Sequence, residues 1–133
     1  MMLPLAVATA LATLLVSPLA IDFTVNVRAT AERGGSAVIG GTVTCSADTL
    51  VTIEGEVAEA LNRSAVAIGT FTTEVLCGTT ATAWSATVNS DSGVPFRPGF
   101  ASGDVRVIGF DPESGIFSGV QSLVFLHLTR SEH

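Results

Sequence analysis

From Leu50 to Glu59, apolar and polar side chains alternate. Val51, Ile53 and Val57 share one parity, and Thr52, Glu54 and Glu56 share the other. A period of two places the first set on one face of an extended strand and the second on the opposite face. The segment therefore has one buried and one solvated side. No 3.6-residue periodicity persists anywhere after residue 20, and the chain there is rich in Val, Thr, Ile and Phe with Gly at turns. That is strand chemistry.

Six further runs read as strands around this one. They are Ile21–Thr30, Ala37–Ser46, Ser64–Cys77, Thr80–Val88, Ala101–Phe110 and Gly119–Leu128. In the second, Ile39, Val43 and Cys45 share a face. The third, Ser64–Cys77, is long enough for a bulge or break near Gly69. The last is apolar on both faces, with Leu123 and Phe125 against Val124, Leu126 and Leu128. That pattern predicts a strand central in its sheet or lying between layers. Turn-forming clusters separate the runs, among them Glu32-Arg33-Gly34-Gly35-Ser36, Asn89-Ser90-Asp91-Ser92-Gly93 and Asp111-Pro112-Glu113-Ser114-Gly115. Seven short strands in about 110 residues predict an all-β, immunoglobulin-like antiparallel β-sandwich with one disulfide. An open barrel is the alternative. An immunoglobulin domain carries its Trp between the two cysteines, whereas Trp84 follows Cys77, so the likeness is one of architecture only.

The 133 residues allow one domain. Residues 1–20 carry no charge, and the apolar stretch Leu3–Val16 has the length of a signal-peptide core, short for a bilayer span. The reading is a signal peptide over 1–20 and a sandwich domain over 21–133. The n-region lacks Lys and Arg, and Pro18 stands three residues before the expected cleavage point at Ala20. The alternatives are an uncleaved anchor, the only membrane association this reading allows, or a start further upstream. Export makes the two cysteines, Cys45 and Cys77, a disulfide pair. A two-Cys metal site would need His partners, and His127 and His133 are far along the chain. No metal or cofactor is expected.

The chain has 12 acidic and 6 basic residues, a formal net charge of −6, and no Lys. Scattered Arg in an acidic chain cannot build the dense positive face that phosphate backbones require, which argues against nucleic acid and anionic membrane surfaces as partners.

Three stretches carry a family resemblance. They are Gly41-Thr42-Val43-Thr44-Cys45-Ser46, then Cys77-Gly78-Thr79 with Trp84 seven residues after the cysteine, then Phe96-Arg97-Pro98-Gly99-Phe100-Ala101. In these the chain resembles an uncharacterised family of small secreted actinobacterial proteins, over roughly residues 36–128. The resemblance implies secretion and a sandwich stapled by one disulfide, and it implies no activity. The chain departs from the family pattern at Thr44, where an aromatic or basic residue is common.

Catalytic constellations are sparse. There is no Gly-x-Ser-x-Gly elbow, and a lone His127 near the end of an apolar strand is more often structural. Glu54 and Glu56 share a strand face, with side-chain bases about 7 Å apart, a spacing that paired-carboxylate glycoside hydrolysis can use. An ordinary solvated face has the same pattern. The oxygens of Asn89–Ser92 and Asp111–Ser114 are also what turns require, and Asn62-Arg63-Ser64 is a sequon of high chance frequency. Val94–Phe100 stands out most. Two prolines stiffen it, and Phe96, Arg97 and Phe100 could contact a partner at small entropic cost. Its aromatics could instead plug the end of the sandwich.

The expectation is a non-catalytic exported binding or structural protein. Its partner would be an extracellular protein, a glycan or a small molecule. A carrier of small apolar ligands is the alternative, favoured if Phe71, Phe110 and Phe117 line a pocket. A minimal hydrolase would need Glu54, Glu56 or His127 to converge in one cleft.

Overall fold

The computed structural model describes residues 19–131. Of the expected leader, only Leu19 and Ala20 fall within them. Every regular element among the described residues is a strand: β1 (Ile21–Val25), β2 (Arg28–Ala31), β3 (Ala37–Cys45), β4 (Thr49–Asn62), β5 (Ala65–Cys77), β6 (Thr82–Val88), β7 (Gly99–Asp111) and β8 (Ile116–Arg130).

The strands form a β-sandwich. One layer is β1-β3-β6 and the other is β2-β8-β7-β4-β5. The expected single strand Ile21–Thr30 is two. β1 pairs antiparallel with β3, as in Phe23↔Val43. The chain then breaks at Asn26 and Val27, and β2 crosses to pair parallel with β8, as in Ala29↔Leu128. This makes eight strands rather than seven and introduces one parallel pair. β2 also keeps a short contact with β3 at Thr30↔Val38 and Ala31↔Ala37, which joins the layers along one side. The expected irregularity near Gly69 is absent from β5, and the register shift falls in β4, between Ala60 and Asn62.

The core follows from alternation. β4 buries Val51, Ile53 and Val57, β7 buries Val105 and Val107, and β8 buries Leu126 and Leu128. Ile39 and Val43 of β3 and Trp84 and Val88 of β6 face them from the other layer. Trp84 stacks on Phe71 with ring centroids 6.3 Å apart, and its indole N–H donates to the Thr24 carbonyl at 3.3 Å. It is a core residue with its one polar atom satisfied.

Cys45 and Cys77 form a disulfide. It ties the end of β3 to the end of β5, one strand from each layer. Such a bond belongs to an oxidising, extracytoplasmic compartment.

Candidate functional site

β7 and β8 present the largest exposed apolar side chains of the sheet. Their unbroken register pairs Phe100 with His127, Ser102 with Phe125, Asp104 with Leu123, Arg106 with Gln121 and Phe110 with Phe117. These residues all have the parity opposite to the core set and so face outward. Phe100, Leu123 and Phe125 are 79%, 78% and 84% exposed. Phe100 stacks on the His127 imidazole with centroids 4.9 Å apart. At the far end Phe110 and Phe117 touch, 5.1 Å between centroids, beside exposed Ile116. The outer face thus has an apolar patch at each end.

The middle of the face is polar. Arg106 pairs with Glu54 at 2.9 Å, and Gln121 donates to Asp104 at 2.7 Å. Glu56 sits opposite Asp104 on the neighbouring strand. With Thr70 and Thr72 these groups line an open cleft of about 660 Å³. Glu54 and Glu56 do share a face, but Glu54 is occupied by Arg106. His127 lies four residues along β8 from Leu123, the partner of Asp104, which is about 13 Å of strand. Glu54 and Glu56 thus line one cleft, and His127 is not among its lining residues. The three phenylalanines expected of a carrier are not brought together. Phe71 lies inside against Trp84, while Phe110 and Phe117 lie on the outer face.

The proline-stiffened segment divides its aromatics. Phe96 is 2% exposed and belongs to the core, so it is not a surface contact. It fills the end of the sandwich, and its N–H donates to the Gly35 carbonyl at 2.8 Å. Arg97 is exposed, and its backbone N–H donates to Glu59 Oε1 at 2.8 Å. Phe100 belongs to β7 and is the aromatic of this stretch that meets solvent. Two adjacent backbone hydrogen bonds therefore fix the segment that leads into the exposed face.

Glu59 was hidden in the alternation of β4. It is in phase with Val51, Ile53 and Val57, and that parity alone places it inside, where it is 2% exposed. Burial pushes its pKa above the ordinary glutamate value, and the Arg97 N–H and guanidinium oppose this in part. A raised folded pKa makes the protonated form the better fit to the folded state. Its stabilisation is complete below the ordinary glutamate pKa and is lost as pH rises through the raised one. Glu59→Gln keeps the acceptor for Arg97 and removes the charge. We expect the variant to be at least as stable as wild type at neutral pH. The wild-type gain on acidification should shrink in the variant, as read by denaturant melts of both proteins across mildly acidic pH. Identical pH profiles would show that Glu59 does not titrate in this way.

The loop oxygens are engaged in turns. Asp111 accepts from the Glu113 N–H at 3.0 Å and from the Ser114 hydroxyl at 2.9 Å. Asn62 Oδ1 accepts from the Ser64 N–H at 2.9 Å. Asp91 and Ser92 bond to the edge of β5. Among the described residues no group of three or more His, Cys, Asp or Glu is placed to hold a metal ion. No protein-family model matches the chain, and no curated protein matches it either.

Proposed function

We propose that this chain is a secreted, non-catalytic binding module. It would engage an extracellular partner through the outer face of β7 and β8. The observation that carries the reading is the exposure of Phe100, Leu123 and Phe125 on one rigid sheet face. Large aromatic side chains left in water on a well-ordered surface mark interaction sites, and they lose little rotamer freedom on binding. The two hydrogen bonds that fix Phe96 and Arg97 support a face that is preorganised.

The strand order supports an immunoglobulin-like layout. β8-β7-β4-β5 corresponds to the G-F-C-C′ sheet of a variable-type domain, with β2 as the edge strand that changes layer. The disulfide departs from that pattern, because it reaches β5 rather than β7. The uncharged residues 1–20 and the disulfide support export. The resemblance to small secreted actinobacterial proteins agrees with both.

The test compares wild type with a triple variant, Phe100→Ser, Leu123→Ser and Phe125→Ser, in capture from native-host culture supernatant and cell envelope. These side chains are exposed, so the fold should survive their loss. Wild type should retain a discrete component at least about tenfold better, a difference of roughly 1.4 kcal/mol. Equal capture by two equally stable proteins would sink the proposal.

A further inference from the structure

β8 is an edge strand for most of its length, although its two apolar faces suggested a central one. β7 pairs with it from Ile116 to Leu128, but β2 covers its other side only from His127 to Arg130. From Ile116 to Leu126 that side has no strand beside it among the described residues. β1 bonds to β3 in the other layer and takes no part. The direction of the free groups follows from parity. The His127 N–H donates toward β2, to the Val27 carbonyl at 2.8 Å. With no bulge in β8, the N–H and C=O of Phe117, Gly119, Gln121, Leu123 and Phe125 point the same way. Among the described residues, none of these edge groups has a partner across that side.

Exposed edges are normally blunted by charge, proline, a bulge or a covering loop. The other edge of the same sheet is treated in that manner. Asp91 and Ser92 fold over β5, where the Asp91 N–H donates to the Ile68 carbonyl at 2.6 Å and the Ser92 hydroxyl to the Val66 carbonyl at 2.7 Å. Among the described residues β8 has none of these devices. It has no charged residue from Ile116 to Thr129, no proline and an unbroken register.

We propose that this edge is a homodimer interface, in which β8 pairs antiparallel with β8 of a second copy about a two-fold axis at Gln121. Three observations choose a second copy. First, β2 pairing begins at His127, the residue after the point where a partner strand centred on Gln121 would end. A register centred on Gln121 sets Ile116 opposite the partner's Leu126 and leaves nothing overhanging. Second, this register opposes like residues at both ends of the segment, Ile116 with Leu126 and Phe117 with Phe125. Phe117 falls opposite Phe125 and Gly119 opposite Leu123, so two aromatic cross-strand pairs flank the axis. Third, two copies of a chain with net charge −6 repel, and this uncharged edge is where they meet with no like charges opposed. The five edge-facing residues of each copy would make about ten hydrogen bonds, the number a typical interface carries. The sheets then join into one, and the outer faces of the two copies become continuous. The dimer needs only the strand edge, so it stands whether or not the face binds another partner.

The experiment is sedimentation of the disulfide-intact exported protein over a micromolar concentration series, with amide hydrogen exchange at both ends of the series. A dimer is expected, with concentration-dependent protection at Phe117, Gly119, Gln121, Leu123 and Phe125. Gln121→Lys opposes two charges on the axis and should weaken the dimer at least about tenfold. Glu74→Lys, on the capped edge, should leave it unchanged. Gly119→Pro deletes an edge-facing N–H without touching the β7 ladder, and should weaken the dimer by a second route. A monomer throughout the series would overturn the proposal. So would a dimer indifferent to both β8 variants, or one whose five amides stay unprotected. Protection of those amides only on adding a foreign extended peptide, with no self-association, would assign the edge to another chain and equally overturn it.

Discussion

Replacing both cysteines, Cys45→Ala with Cys77→Ala, is expected to lower the unfolding free energy by roughly 3–4 kcal/mol. The bond closes a sequence separation of 32 residues and restricts the unfolded chain by that loop. In the folded state it does a second thing. β3 and β5 lie in different layers and share no ladder, and β5 is the outermost strand of its sheet. The disulfide fixes that outer strand to the opposite layer at the end where the Cys45 N–H also donates to the Gly78 carbonyl at 2.7 Å. At the other side of the sandwich, β2 joins the layers by pairing with both β3 and β8. Loss of the bond should therefore loosen the β5 side first. Denaturant melts with and without reductant give the overall loss, and hydrogen exchange should show β5 amides losing protection before those of β7. A change below about 1 kcal/mol would mean that the unfolded chain gains little from release of this loop.

Alternation made most of the fold legible. Where one face is buried, a strand announces its parity, and Val51, Ile53 and Val57 did so. The same parity held the position of Glu59, which only had to be counted in phase. What escaped was non-local. Nothing in Ile21–Thr30 marks Asn26 and Val27 as the point where a strand changes layer, because the reason lies in β8, a hundred residues away. Glu54 and Arg106 meet through the β4–β7 register, 52 positions apart. Phe96 and Phe100 have the same chemistry in sequence. Their opposite fates come from the Gly35 carbonyl and Glu59, which draw the intervening chain inward.

β8 escaped for a different reason. A strand apolar on both faces is ordinarily buried on both, and the inference from pattern to burial fails only when a protein keeps apolar residues in water. The failure is therefore informative. Phe117, Leu123 and Phe125 are not needed by the core, and their exposure is what points to a surface with a partner.

Gly41→Val is expected to cost more than any other single substitution considered, roughly 3 kcal/mol or more. Gly41 lies in β3 between buried Ile39 and Val43, opposite Trp84 on β6 and Val25 on β1. A Cβ there would collide with the Thr24 carbonyl oxygen, which is backbone and cannot rotate away. That carbonyl is also the acceptor for the Trp84 indole N–H. Displacing it would strand a buried donor, and an unmade buried hydrogen bond carries a penalty of about 1–3 kcal/mol by itself. Strand approach and tryptophan satisfaction are thus one arrangement, and only glycine permits it at this position. Gly55 of β4 makes the same allowance for the Asp104 carbonyl but serves no buried donor, so Gly55→Val should cost less than Gly41→Val. Gly34→Ala, in a turn with open space around it, should stay within about 0.5 kcal/mol of wild type. Chemical melts of the three variants give the order. Trp84 fluorescence should shift in the folded state of Gly41→Val alone. Equal stability of Gly41→Val and Gly34→Ala would mean that β1 can move off β3 without loss, and the link between Gly41 and Trp84 would fall.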